Sequence, residues 1–301
     1  MSEQRRGLVF GVVAYAIWGL FPLYWPLLEP APADEILAHR VVWSLAVCLV
    51  LLAVIRGGGR IRVLLRDRRR ALALAGAAVL ISVNWYVYIW AVNHGHVVES
   101  SLGYFVNPLI AVVLGVVVLG ERLRPVQWAA VGVGLAAVVV LTVDYGRPPW
   151  IALVLAITFG AYGLVKKIAG VPAVEALTVE TLVLFLPATG YLLWLQADGR
   201  ATFGSGGVGH ALLLASAGVI TAVPLLCFAG AANRLPLTTV GLLQYLTPVL
   251  QFLCGITVFH ETMPAARWAG FALVWAALAV FTVDAVRNHR RSLQVAVDAV
   301  T

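Results

Sequence analysis

Five residues of this chain return after an interval of 140 positions: Asn93, Pro108, Glu121, Trp128 and Asp144 recur as Asn233, Pro248, Glu261, Trp268 and Asp284. The stretches around them also read alike, LGERLRPVQWAAVGVG against FHETMPAARWAGFALV. Identities in strict register, set inside apolar segments, mark a duplicated half. A membrane unit of this size, doubled, is a common build among secondary transporters.

The apolar segments themselves require a bilayer. The chain has 301 residues, 61% of them hydrophobic and only 12% charged. A soluble domain carries roughly twice that charge, and no buried core of this size could hide so many long apolar runs. The three cysteines, Cys48, Cys227 and Cys254, lie inside such runs without metal-ligand spacing, which argues against a disulfide framework. The net charge of +7 is spread between apolar segments, where positive charge sets topology; nucleic acid is not an expected partner. The first apolar run follows Arg5 and Arg6, is longer than a signal-peptide core, and reads as a retained span.

Ten stretches are long enough to cross a hydrocarbon layer of about 30 Å. They run approximately over 7–28, 34–55, 71–93, 99–119 and 125–143, then 149–166, 173–195, 210–231, 237–258 and 265–285. Breakers separate them, among them Pro30, Pro32, Gly57 to Gly59, Pro148-Pro149 and Pro236. With both termini inside, 17 of the 21 Lys and Arg residues fall in cytoplasmic segments; Arg147, Arg200 and Arg267 lie outside and Arg40 within a span. The Arg-rich stretch from Arg56 to Arg70 reads as a topology anchor on anionic lipid. Five spans per half is an odd number, so the second half enters the membrane with opposite polarity. The expected fold is an all-α polytopic membrane protein of ten transmembrane helices in two inverted five-helix repeats. Its units are 1–145 and 146–290, followed by a cytoplasmic tail over 291–301.

Several motifs together resemble one family. They are YAIWGLFPLYW in the first span, PADEILAHRVVWS entering the second, NWYVYIWAVN in the third, ESSLGYFVNPL in the fourth and LGERL after it. FGAYGLVKK in the sixth and VPLLCFAGAANRLPL around the eighth complete the set. In these the chain resembles the RarD-like permeases of the EamA group, within the drug/metabolite transporter superfamily. The resemblance covers nearly the whole chain up to Arg291. It implies two inverted five-helix repeats in a bacterial inner membrane and transport, in the direction of export, of small metabolites or amino-acid-like solutes.

The residues offer a cavity lining independently. Pro108 and Pro248 sit mid-span at matching positions. Proline lacks an amide hydrogen, so the carbonyls of Tyr104 and Gln244, four residues back, are expected to lose their helical donors. In lipid such groups need another partner. Asn107 and Thr247 precede the prolines and Tyr245 lies within the same turn, which assigns all of these to the substrate path; the alternative is a pair of kinks that shape packing. Asn84, Trp85 and Tyr88 in the third span, Tyr15 and Trp18 in the first, Trp43 in the second and Tyr162 in the sixth add aromatic and polar groups at depth. Such a box suits flat or cationic solutes. An interfacial belt is the competing explanation, and it accounts for Trp128, Trp150, Trp194 and Trp268 near span ends.

Charge inside the membrane is scarce. Glu180 is placed about 10 Å below the cytoplasmic edge and Arg40 about 9 Å below the outer edge, too far apart in depth to pair. Lys166 or Lys167 is the expected partner of Glu180, and Glu99 or Glu35 that of Arg40, with His39 alongside as a titratable neighbour. Arg40, His39 and Glu180 are candidates for coupling, with Pro108 and Pro248 as gating points. The competing view makes each charge half of a structural pair; the first span has no acid of the kind small multidrug exporters use for proton exchange. Glu121-Arg122 and His260-Glu261 end matching spans at opposite faces, as anchors or as gates. The His94-Gly95-His96 pair reads as loop polarity rather than a metal site.

No G-x-x-x-x-G-K-[ST] loop and no H-E-x-x-H or G-x-S-x-G motif occurs, so direct ATP drive is excluded and no catalytic residue, metal or cofactor is assigned. The expected partners are a small-molecule substrate and the lipid bilayer; one chain holds both halves, so a monomer suffices. A membrane enzyme and a non-transporting scaffold are the alternatives.

Overall fold

The computed structural model describes residues 2–120 and 122–298, and no strand occurs among them. The first apolar run is not one straight helix. Helix α1 (Glu3–Gly19) is followed by α2 (Phe21–Tyr24) and a 3-10 turn over Trp25–Leu28, the two parts bent by 48°. Pro22 and Pro26 both sit at the starts of these short elements, where a missing amide hydrogen costs little.

The second span is α3 (Ala33–Val54). A short helix α4 (Gly58–Arg66) follows, then α5 (Arg68–Asn93), α6 (Val97–Leu119) and α7 (Pro125–Tyr145). The second half contains α8 (Trp150–Ala169), α9 (Ala173–Ala197), α10 (Gly207–Ala232), the pair α11 (Leu237–Leu243) and α12 (Leu246–Thr257), and α13 (Ala265–Asp298). Counting the bent first pair as one, ten spans among the described residues are long and apolar enough to cross a membrane. Helix α13 carries the backbone of the expected tail on as helix to Asp298, and the end of that tail lies outside the described residues. The Arg-rich stretch forms α4 and the first turn of α5, and is anchored by Arg60, whose Nη1 lies 3.0 Å from the buried carboxylate of Glu175 on α9.

The packing follows the duplication. Helix α6 packs on α8 as α1 packs on α12; α5 packs on α8 as α10 packs on α1; and α3 packs on α10 as α5 packs on α9. The contacts α3–α9, α6–α12 and α7–α13 map onto themselves when the halves are exchanged. All of these contacts join one half to the other, so the sequence repeats interleave in space. Close approach needs small residues. A Cβ on Gly103 of α6 would meet the Ala152 carbonyl of α8, and one on Gly218 of α10 would fall on the Trp43 carbonyl of α3.

The duplication also produces matched ion pairs at opposite faces. Asp144, ending α7, accepts from Arg267 at the start of α13 at 2.9 Å. Its counterpart Asp284 on α13 accepts from Arg124 at the start of α7 at 2.5 Å. At the same face as Asp144, the Glu261 carboxylate accepts from the backbone amides of Val97 and Val98, capping α6. Glu99 takes Arg147 at 2.8 Å and the Ile151 amide at 3.1 Å, capping α8. Glu121, the sequence counterpart of Glu261, lies outside the described residues.

Candidate functional site

The predicted lining residues fall into separate neighbourhoods. At the meeting of α5, α6 and α8, Asn84 donates to the Leu155 carbonyl and to Thr158 Oγ1, both at 3.0 Å, and accepts from the Tyr104 hydroxyl at 3.1 Å. Tyr88 packs edge-on to Tyr104 with ring centroids 5.6 Å apart. Trp85, on the adjoining face of α5, lies against the guanidinium of Arg40 from α3, 3.7 Å from Cζ to the ring centroid.

A second group seals α1 to α12. Thr247 Oγ1 donates to the Tyr15 carbonyl at 2.9 Å, and Gln251 Nε2 to the Trp18 carbonyl at 3.2 Å. Tyr15 and Trp18 stack edge-on at 5.5 Å, and both rings meet Phe228 of α10. Trp18 also packs against the cluster that holds Tyr88 and Trp25, so the two groups adjoin.

Three predicted residues lie apart from these. Tyr162 donates to Glu180 at 3.2 Å in a separate group with Lys166, whose Nζ is 2.7 Å from the same carboxylate. Tyr245 packs into the cluster around Phe252 and Trp275, and Trp43 lies at the α3–α10 contact, tilted against Phe203. The Asn107 carbonyl oxygen is buried without a partner among the described residues and faces the Gly160 position of α8. The belt assignment separates cleanly: Trp128, Trp150, Trp194 and Trp268 are exposed at the protein surface, whereas Trp25 is fully buried.

Two expectations need correction. The prolines do not make a matched pair of breaks. Helix α6 runs unbroken through Pro108, held by its close seam with α8, whereas the ninth span is interrupted at Gln244 and Tyr245, ahead of Pro248. Proline permits a break, and packing decides whether one forms. The second correction concerns Arg40. Glu99 is taken by Arg147, and Glu35 by the Thr202 and Phe203 amides, with His39 3.9 Å away; neither reaches Arg40. Arg40 instead donates from Nε to Thr221 Oγ1 of α10 at 2.9 Å and rests among Trp85, Trp25 and Phe21. His39 stacks on Phe203 at 4.7 Å.

Sequence reasoning missed Thr221, Trp25 and Gln251. Gln251 was detectable, being a lone amide in an apolar helix one turn beyond Pro248. Thr221 carried no such signal, since a threonine in a long apolar run serves equally as helix filler. A cavity of about 420 Å³ lies between α3, α4 and α9, lined by Leu45, Leu52, Arg56, Ile61, Thr178 and Leu182, and no predicted lining residue borders it. The central polar and aromatic groups are instead closed on one another. No cluster of three or more His, Cys, Asp or Glu able to hold a metal occurs among the described residues; His94 and His96 both stack on Trp90.

Comparison with known proteins extends this picture. The EamA-like transporter family matches the chain twice, over residues 5–143 and 148–283. Protein RarD of Streptomyces exfoliatus is 60% identical over 97% of this chain and 92% of its own length. An uncharacterized transporter, YojE of Bacillus subtilis, is 44% identical over 97% of this chain and 98% of its own length. A solved crystal structure covers 93% of this chain and 98% of its own at a TM-score of 0.61 and 20% identity, a likeness of fold.

Proposed function

The chain belongs to the EamA-like transporter family and is a multi-pass membrane transporter, and from that premise we propose that it moves small metabolites or amino-acid-like solutes by alternating access between its two inverted repeats. The observation that carries this reading is the reciprocal pair of bridges, Asp144–Arg267 and Asp284–Arg124, in which the equivalent aspartates of the two halves each take an arginine at the start of the other half's last span, at opposite faces. An arrangement that maps onto itself under exchange of halves can open at either face by the same movement.

The substrate path is assigned to the closed groups between α1, α5, α6 and α12: Tyr15, Trp18, Asn84, Trp85, Tyr88, Tyr104, Asn107, Gln244 and Thr247. The interruption at Gln244 and Tyr245, ahead of Pro248, is the gating hinge. Trp43, Tyr162 and His39 border the path at its two ends. Glu180, held by Lys166 and Tyr162, is the only acid among the assigned residues and, with His39 and Arg40, a candidate for coupling a proton to flux. The basic residues between spans support an inner-membrane location with both termini in the cytoplasm, and the family resemblance supports export.

Uptake of amino acids and aromatic metabolites into proteoliposomes, with and without an imposed pH gradient, tests the reading. Substrate-dependent, saturable flux is expected. Flux that responds to the gradient and loses that response in Glu180→Gln would establish coupling at that carboxylate. A membrane enzyme or a scaffold would give no flux under any condition.

A further inference from the structure

We propose that Arg40 recognises a carboxylate group on an aromatic or otherwise apolar solute, held between α2, the 3-10 turn after it, α3 and α5; this rests on the transport reading above. A guanidinium is costly to bury in a membrane interior and is normally balanced by an acid. Arg40 is 3% exposed, and no ion pair among the described residues includes it. The acids on the neighbouring helices are committed elsewhere: Glu35 to the loop amides at Thr202 and Phe203, Glu99 to Arg147 and α8, Glu175 to Arg60, and Glu180 to Lys166. Contact with aromatic faces offsets only part of such a desolvation cost.

The geometry specifies what would complete the site. Thr221 takes Nε, and Trp85 lies along the face of the guanidinium at 3.7 Å. That leaves the two Nη groups, which have no hydrogen-bond partner among the described residues. The indole N–H of Trp25, whose ring lies 5.2 Å from Arg40 Cζ, and the hydroxyl of Tyr88 are buried and also without partners there. The phenols of Tyr24, Tyr88 and Tyr104 lie within electrostatic reach of the same cation. The groups left over can all donate a hydrogen bond, and the two Nη groups and the indole N–H can only donate, so they call for an acceptor. Two Nη groups at the end of a planar fork match the two oxygens of a carboxylate. One positive charge balances a monoanion, whereas a phosphate ester would bring an excess negative charge into the same apolar surroundings. Phe21, Trp25, Trp85 and Tyr88 supply flat apolar walls for the body of the solute.

The purified full chain, in detergent and at constant chloride, is titrated with 3-phenylpropionate, 3-phenylpropionamide and phenyl phosphate, and binding is read from tryptophan fluorescence and the thermal midpoint. The acid and its amide share shape and differ in charge. The expected result is at least about tenfold tighter binding of the carboxylate than of the amide, the scale of one charge-assisted contact. Arg40→Gln abolishes that preference, and Arg40→Lys weakens it while keeping its sign. Equal affinity of acid and amide for the wild-type chain overturns the proposal without recourse to any variant. So does tighter binding of the phosphate ester, binding of none of the three, or a preference that survives Arg40→Gln. Flux measurements separate this from the transport reading. Transport of the amide without selective carboxylate binding removes the proposal alone, and carboxylate binding with no flux of any probe removes the transport reading alone.

Discussion

Arg40 and Glu180 stand 140 residues apart, at equivalent points of the second and seventh spans, on two helices that pack against each other. Both are buried, at 3% and 1% exposure. Their surroundings differ completely. Glu180 finds its polar partners within its own half: Lys166 and Tyr162 reach it from α8, and the Lys166 side chain retains 21% exposure, so the acid is paired with a cation that is itself only partly buried. Arg40 is enclosed by both halves, with Trp85, Trp25 and Phe21 from the first and Thr221 from the second, and none of these is an acid. The duplication thus conserves where a buried charge sits on the scaffold without conserving what balances it. Inverted repeats give equivalent movements to the two faces, while the chemistry within can be as asymmetric as the cargo requires.

The comparison can be broken at its scaffold first. Gly218 sets the approach of α10 to α3 that brings Thr221 to Arg40. Gly218→Leu forces its side chain into the Trp43 carbonyl and is expected to cost more than about 4 kcal/mol. Loss of monodisperse protein in size-exclusion chromatography is the readout, and wild-type yield would contradict the close seam.

The charges themselves come next. Glu180→Leu strands Lys166 and should lower stability by about 3 kcal/mol. Arg40→Met removes a cation without an acid partner and should be neutral or stabilising by about 1 kcal/mol or more, while carboxylate-dependent flux is lost. Thermal midpoints of the two variants side by side decide the matter; equal losses would erase the distinction between a closed pair and an open cation.

A smaller effect is expected at the cross-half bridges. Arg267 and Asp144 are 16% and 8% exposed, Arg124 and Asp284 37% and 17%. Arg267→Gln should therefore cost about 2–3 kcal/mol and Arg124→Gln about 1 kcal/mol, since solvent screens the second pair more. The same melting series reads both, and the reverse order would count against the burial argument.

The smallest effect is a pH slope. Burial pushes the Glu261 carboxyl from 4.5 up to about 7, against the amides of Val98 and Val97 and the charge of Arg267, which pull it down. Because its folded value exceeds the unfolded one, folding takes up a proton between these limits. The contribution of this group to stability is greatest below 4.5 and declines as pH rises to about 7. Glu261→Gln should flatten that part of the stability profile, and an unchanged slope would assign it to another group.

Much of the fold was legible along the chain. Each expected span overlaps a helix or helix pair, because hydrophobic length and the placement of arginines are local quantities. The bend after Gly19 and helix α4 were not anticipated. The first depends on how Phe21 and Trp25 pack inward, and the second is too short and basic to register as a span. In the site, Asn84, Trp85, Tyr88 and Tyr104 were recognisable as polar or aromatic groups at depth. Thr221 was not, because its role comes from facing Arg40 across 181 residues of sequence.

The sequence by itself determined the duplicated ten-span layout and which residues lie deep in it. Spans are set by about 20 residues of local hydrophobicity, and the echo fixes the register between halves. Only the tertiary structure decided which charges pair, which proline accompanies a break and which cation is left without an acid. Those outcomes depend on distances between helices of different halves, where a few ångströms separate an ion pair from an isolated charge and no local pattern records the difference.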